Sequence, residues 1–129
     1  MNEATHENLD RFVGGVSIRN LKQLVHMATN GFVVNNDLQS LVTVQNIERL
    51  RDIQILFIHG GQNAVYSPES TMRSYDSLRE QLDSCHYERW VFEERGHLDC
   101  WMGKSSYMDV YPVVEQHARK TIASQGMSK

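Results

Sequence analysis

The sequence contains few of the residues and segments that mark specialised classes of protein. Its two cysteines, Cys85 and Cys100, are too few for a disulfide framework and favour a reducing compartment such as the cytoplasm. No apolar run approaches the ~18 residues of a membrane-spanning helix. The polar first residues lack the apolar core of a signal peptide, although this indicates a compartment only if the natural beginning is present. Thirteen basic and sixteen acidic residues give a net charge of −3 without a basic block, which argues against nucleic acid as a partner.

The composition that remains is typical of one globular domain. Of the 129 residues, 40% are apolar and 22% are charged, and there are 8 glycines. We divide the chain into a polar N-terminal segment (1–14), a folded part (15–123) and a tail (124–129). In the folded part, apolar residues at three- and four-residue steps predict a first helix from Ser17 to Asn30-Gly31. The segment 32–44 could form two short strands around a turn, or an irregular loop.

The pattern becomes regular after Asp52. The apolar run 53–58, which ends near two glycines, predicts a parallel strand that is buried on both faces. Ser67-Pro68 predicts the start of a helix with an apolar stripe at Met72, Tyr75, Leu78 and Leu82. A second strand is predicted at 87–92. Asp109 is expected to cap a final helix, with Pro112 in its first turn and an inner face made of Val113, Val114, Ala118 and Ile122.

Alternating helices and strands indicate an α/β fold with a parallel sheet. Two parallel strands do not make an independent sheet, and the run 53–58 is too apolar for an edge strand. We therefore expect an incomplete domain, the C-terminal βαβα portion of a larger parallel sheet. The missing half, or self-association, should cover the open side, and the isolated chain should be poorly soluble or oligomeric.

The loops after the two strands carry polar groups of catalytic type. His97 is the strongest candidate, because it follows a strand and a glycine at the edge where open α/β sheets bind ligands. The alternative is a structural histidine bonded to the backbone. His59 is expected to close the turn after the first strand. Metal binding is not expected, since His97, Asp99 and Cys100 are too crowded for a tetrahedral site and the cysteines suit apolar filler positions.

Four short motifs occur in a fixed order along the chain: Phe57 to Asn63, Pro68 to Thr71, Gly96 to Cys100, and Asp109 to Pro112. Together they resemble the C-terminal half of an α/β-hydrolase. The sequence is similar to acid lipases, which have a His-Leu-Asp run at the catalytic histidine. It is also similar to the hydrolase-like module fused to FAD-dependent GMC oxidoreductases of the cholesterol oxidase type, which has Phe-Ile-His-Gly-x-x-Asn and Gly-His-x-Asp-Cys runs. The resemblance spans about residues 15–120.

The resemblance implies a catalytic triad in the chain order nucleophile, acid, histidine. His97 matches the histidine, and Asn63 matches the acid position, where most hydrolases have Asp. Because an asparagine brings no charge, either catalysis is weak, or another carboxylate helps, or the site has lost hydrolysis. Among the nearby carboxylates, Asp99 is the first candidate ahead of Glu69 and Glu94. The alternative for Asp99 is a turn-stabilising carboxylate bonded to backbone amides. No Gly-x-Ser-x-Gly nucleophile elbow occurs in the sequence.

These observations leave three functional hypotheses. The first is the C-terminal part of a lipase-like ester hydrolase, inactive alone, whose partner molecule is an apolar ester or a sterol-like compound. The second is the C-terminal module of an FAD-dependent GMC sterol oxidase. FAD would then be bound elsewhere, because no Gly-x-Gly-x-x-Gly motif occurs here and no cofactor is expected for this chain. The third is a non-catalytic interaction module. Trp101, Met102, Tyr107 and Met108 could line an apolar substrate site, although packing of the last helix on the sheet is the favoured interpretation.

Overall fold

A computed structural model describes residues 14–82 and 86–126, together with Glu3, Glu7, Asn8 and Arg11. Most of the predicted N-terminal segment and the end of the predicted tail lie outside the described residues. The elements in chain order are α1 (Ile18–Asn30), α2 (Val44–Glu48), β1 (Ile55–Gly60), α3 (Pro68–Leu82), β2 (Tyr87–Phe92), α4 (Asp99–Met102) and α5 (Ser106–Gly126). The chain is therefore a set of helices around a small parallel sheet, which is the α/β class predicted from the sequence. No helix in the described ranges is both long and apolar enough to cross a bilayer.

Helix α1 has the predicted bounds. The Ser17 hydroxyl accepts a hydrogen bond from the Asn20 amide at 3.1 Å, which satisfies one of the free N–H groups of the first turn. Gly31 follows the helix with φ of 75°, a left-handed conformation that favours glycine, and its N–H bonds to the Met27 carbonyl. None of the residues of α1 is buried, so its apolar stripe has no covering layer within the described part of the chain.

The segment 32–44 is mostly an irregular loop. One isolated antiparallel bridge joins Val34 and Ser40 around the predicted turn, which is less than the two-strand alternative required. After it, Thr43 caps the short helix α2 by accepting a hydrogen bond from the Asn46 amide at 3.2 Å. Sequence patterns missed α2 because one and a half turns of helix are too short to show a period.

Strands β1 and β2 pair in parallel, in the register Ile55–Tyr87 to Gly60–Phe92. Strand β2 has the predicted bounds, whereas β1 begins two residues later than predicted, because Ile53 belongs to a turn and its N–H bonds to the Leu50 carbonyl. No other strand pairs with β1 among the described residues. Every second backbone unit of β1 therefore has no strand partner within the described part of the chain.

The core lies between α2, α3 and the sheet. Ile47, Leu78, Leu82 and Tyr87 are buried together, and Tyr75 packs against them. Three of the four residues of the predicted α3 stripe thus face the core. The fourth, Met72, is 41% exposed and does not take part in this core. It lies one turn before Tyr75 and beyond the core formed by α2 and the sheet.

Helix α5 begins at Ser106, four residues earlier than a helix capped by Asp109 would begin, and it extends to Gly126, beyond the start of the predicted tail. Ser106 is fully buried and its hydroxyl bonds to the Gly103 carbonyl at 2.9 Å, which anchors the first turn. Asp109 consequently lies inside the first turn instead of capping the helix, and Pro112 is inside the helix. The inner face was also partly wrong. Ala118 and Ile122 are exposed, because the buried face is set by Val110 and continues through Val113, Val114, His117 and Thr121.

Candidate functional site

The loops that follow β1 and β2 meet at the carboxyl edge of the sheet. The Gly61 amide donates to the Phe92 carbonyl at 2.8 Å, and the Gln62 amide donates to the Arg95 carbonyl at 2.9 Å. A Cβ atom at Gly60 would overlap the Arg95 carbonyl oxygen, so only glycine permits this approach. The structure thus brings together the two segments that carry the predicted catalytic residues, at the edge where α/β sheets bind ligands.

His97 is exposed at this edge. Its imidazole lies against the Tyr66 ring, with centroids 5.4 Å apart and the planes inclined by 51°. No hydrogen bond from the imidazole to another group is found within the described residues. The alternative of a histidine bonded to the backbone therefore lacks support in this part of the chain.

Asn63 lies on the neighbouring loop, and its side chain is directed at a different histidine. Its Oδ1 accepts hydrogen bonds from the amides of Val65 and Tyr66 at 2.9 and 3.0 Å, and its Nδ2 lies 3.2 Å from Nε2 of His59. No hydrogen bond joins Asn63 to His97 among the described residues. Tyr66 connects the two residues, because its amide binds Asn63 and its ring contacts His97.

Asp99 is the first residue of α4, two positions after His97. Its Oδ2 accepts a hydrogen bond from the Gly96 amide at 3.0 Å, which closes the loop that presents the histidine. This geometry is the turn-stabilising alternative given from the sequence. Of the other carboxylates named there, Glu69 forms an exposed ion pair with Arg73 at 2.7 Å, and Glu94 is exposed on the loop after β2.

An ion pair that was not predicted fixes the loop before His97. The Arg95 guanidinium binds the Asp109 carboxylate through Nε at 3.1 Å and Nη2 at 2.8 Å, and also contacts the Ser105 hydroxyl. These hydrogen bonds hold the pKa of Asp109 below its usual range. The pair joins a loop to a helix across fourteen positions, and no sequence period marks such a contact.

His59 closes the turn after β1, as predicted, and it is 6% exposed. Its Nε2 lies 3.0 Å from the Tyr66 carbonyl oxygen, and its Nδ1 lies 3.5 Å from the Thr71 hydroxyl. Arg89 of β2 donates to that hydroxyl at 3.2 Å and to the Pro68 carbonyl at 2.9 Å. A connected series of polar contacts therefore runs from β2 through α3 to the loop of Asn63.

Cys100 occupies a buried filler position, as the sequence predicts. Cys100 is 3% exposed, and burial raises the pKa of its thiol, as for an inert packing residue. Cys85 lies outside the described residues. No group of three or more His, Cys, Asp or Glu side chains in the described ranges is placed to hold a metal ion.

The aromatic segment after His97 does not pack the last helix on the sheet. Trp101, Tyr107 and Met108 are 53%, 65% and 68% exposed, so the favoured interpretation was wrong for these three residues. Helix α5 turns Val110 inward, which directs positions 107 and 108 to the outside. The Tyr111 hydroxyl donates to the Trp101 carbonyl at 2.6 Å and holds α4 against α5. The other interpretation, an apolar wall for a substrate, stays a prediction.

A separate apolar groove of about 860 Å³ opens beside β1 and α3. Ile55 and Phe57 of the sheet, Ile47 and Leu50 of the preceding segment, and Val33 line it. The groove does not include His97 or Asn63.

Comparison with protein-family models, with curated proteins and with solved structures gives no match to this chain.

Proposed function

We propose that the chain is the C-terminal part of an α/β-hydrolase-like protein and that it supplies the histidine loop of an ester-hydrolysing site. The observation that carries the proposal is the meeting of the two strand-end loops, with the His97 imidazole exposed at their junction. There the imidazole is free to take a proton from an attacking hydroxyl and to return it to the leaving alcohol. The substrate class would be an ester of a lipid or another apolar alcohol.

The open side of the fold supports the same proposal. Among the residues that the structure describes, no second strand pairs with β1 beside β2, α1 has no buried residue, and an apolar groove lies beside β1. Apolar surface of this extent is expected where another layer of protein packs. A preceding half-domain that adds a strand to β1 would cover it and would bring the nucleophile to the carboxyl edge of the sheet.

Asn63 limits the activity that we propose. Its amide oxygen is occupied by two backbone N–H groups and its nitrogen faces His59, so in this arrangement it gives His97 neither a charge nor a hydrogen bond. In a serine protease, replacing the triad aspartate by asparagine costs about 10⁴ in rate. We therefore propose a weak hydrolase when the nucleophile is supplied, and no turnover by this chain alone.

The occupied Asn63 side chain also favours a second candidate, a non-catalytic interaction module that keeps the scaffold without the chemistry. The exposed side chains of Trp101, Tyr107 and Met108 would then contact a partner. The sterol-oxidase hypothesis differs in what precedes this module, which should carry a Gly-x-Gly-x-x-Gly sequence instead of a serine elbow.

The test has two steps. The transcript upstream of the Met1 codon is sequenced, and an in-frame Gly-x-Ser-x-Gly elbow supports the hydrolase, whereas a dinucleotide-binding sequence supports the oxidase. The protein encoded by the whole transcript is then assayed with nitrophenyl esters of short and long fatty acids. We expect His97→Ala to reduce kcat/KM by about 10²–10⁴-fold, with His26→Ala as the control on α1. Equal turnover by the wild type and His97→Ala would remove His97 from the mechanism.

A further inference from the structure

The turn 63–66, which contacts His97 through Tyr66, is itself contacted by the buried side chain of His59. His59, the fifth residue of β1, is 6% exposed, and its Nε2 faces the turn 63–66. That one atom lies 3.0 Å from the Tyr66 carbonyl oxygen and 3.2 Å from Nδ2 of Asn63. Both contacts end on the turn that places the Tyr66 ring against His97.

The orientation of the Asn63 amide follows from its other bonds. Its oxygen accepts from the Val65 and Tyr66 amides, so the nitrogen must be the atom directed at His59. With a hydrogen on Nε2, His59 donates to the Tyr66 carbonyl. Without that hydrogen, Nε2 accepts from Asn63. In either tautomer the same atom binds the same turn.

The other edge of the imidazole is supported by the sheet. Its Nδ1 lies 3.5 Å from the Thr71 hydroxyl, which itself donates to the Pro68 carbonyl at 3.0 Å and accepts from Arg89 at 3.2 Å. Arg89 belongs to β2, so the position of the ring is tied to both strands. A buried group with fixed partners on each side has little freedom to reorient.

We propose that His59 is a positioning residue, whose Nε2 holds the turn 63–66 so that Tyr66 packs on the His97 imidazole. The ring of Tyr66 then restricts the directions in which His97 can point at the edge of the sheet. Any effect of this arrangement on catalysis rests on the proposed function. The contact between His59 and the turn is independent of that function.

Two substitutions, His59→Gln and His59→Asn, test whether a hydrogen-bonding group at the position of Nε2 holds the turn, or whether any buried amide does so. The amide of glutamine reaches the position of Nε2 and offers both a donor and an acceptor there, whereas the shorter amide of asparagine reaches only the position of Nδ1. His59→Gln should therefore keep the turn in place, and His59→Asn should release it. Both variants put an amide in the same buried site, so each is the matched control of the other.

The readout is the NMR signal of the His97 ring protons in the full chain, which the ring current of Tyr66 displaces. Tyr66→Leu defines the His97 shift without that contact, and the signal of His117 on α5 monitors the folded state. We expect His59→Asn and His59→Leu to move the His97 signal most of the way to the Tyr66→Leu value, and His59→Gln to leave it near the wild-type value.

A glutamine variant that behaves like the asparagine variant, by a displaced His97 signal or by loss of the folded spectrum, overturns the proposal. So does a His59→Leu variant with an unchanged His97 signal. The experiment measures no turnover. A positive result beside a failed esterase assay would therefore reject the proposed function and leave the positioning role of His59 in place.

Discussion

Replacing Asp109 by asparagine tests how the loop before His97 is anchored. The variant keeps the shape of the side chain but removes the negative charge beside Arg95, whose side chain is only 15% exposed. Removing the partner of a buried charge costs about 3–5 kcal/mol, whereas an exposed pair contributes about 0–1 kcal/mol. Because the Asp109 side chain is 42% exposed and is screened by solvent, we expect an intermediate loss of about 2 kcal/mol.

Urea unfolding of the full chain measures this loss. With an m-value of about 1.5–2 kcal/mol/M, Asp109→Asn should lower the midpoint by about 1 M at neutral pH. Glu115→Gln is the control, since Glu115 and Arg119 form an exposed pair on α5, and the expected loss there is about 0.5 kcal/mol or less. Equal midpoints for the two variants would show that the Arg95–Asp109 pair does not anchor the loop.

The pH dependence gives an independent check on the same pair. The pKa of Asp109 is lowered in the folded protein by its hydrogen bonds to Arg95, whereas it is about 3.9 in the unfolded chain. The pair therefore stabilises the fold fully above that value, and its contribution is lost as the pH falls through the lower folded pKa. The difference between wild type and Asp109→Asn should shrink from about pH 5 to about pH 3. A constant difference over this range would contradict the argument.

Two further predictions concern packing, and a third concerns self-association. Gly60→Ala should destabilise the chain by about 1–3 kcal/mol because its Cβ would overlap the neighbouring loop, while Gly15→Ala, with open space around it, should have little effect on the urea midpoint. Leu78→Ala should cost about 2–5 kcal/mol by leaving a cavity in the core, and Leu24→Ala on the uncovered helix should cost well under half as much by the same measurement. Sedimentation of the isolated chain should show self-association that increases with concentration, and a sharp melting transition of a monomer, independent of concentration, would count against an open β1 edge.

The fold was predictable where the signal is local. Ser17, Gly31 and Pro68 mark helix ends through the backbone groups next to them, and the alternation of helix and strand indicates a parallel sheet. The start of α5 was misplaced because Asp109 has the chemistry of a cap, but its carboxylate is used by Arg95, which is remote in sequence. Local propensity cannot show whether such a carboxylate caps a helix or binds a residue that is distant in the sequence.

The candidate site was predictable only as a location. The loops after two adjacent parallel strands must share an edge, and both carry polar residues. The partners within that edge were not predictable, because no sequence pattern shows that the Asn63 side chain contacts His59 and not His97. His59 was correctly expected to close its turn, but its contacts to Thr71 and, through it, Arg89 depend on how α3 crosses the sheet.

The absence of any buried residue in α1 has a thermodynamic consequence. A thirteen-residue helix in water is marginal by itself, so a molecule that packed on its apolar stripe would raise its population. Part of the binding free energy at that stripe would offset the cost of ordering the helix. The measured affinity would therefore be lower than the buried area suggests. Stapling α1 into its helical form should strengthen such binding without adding a contact.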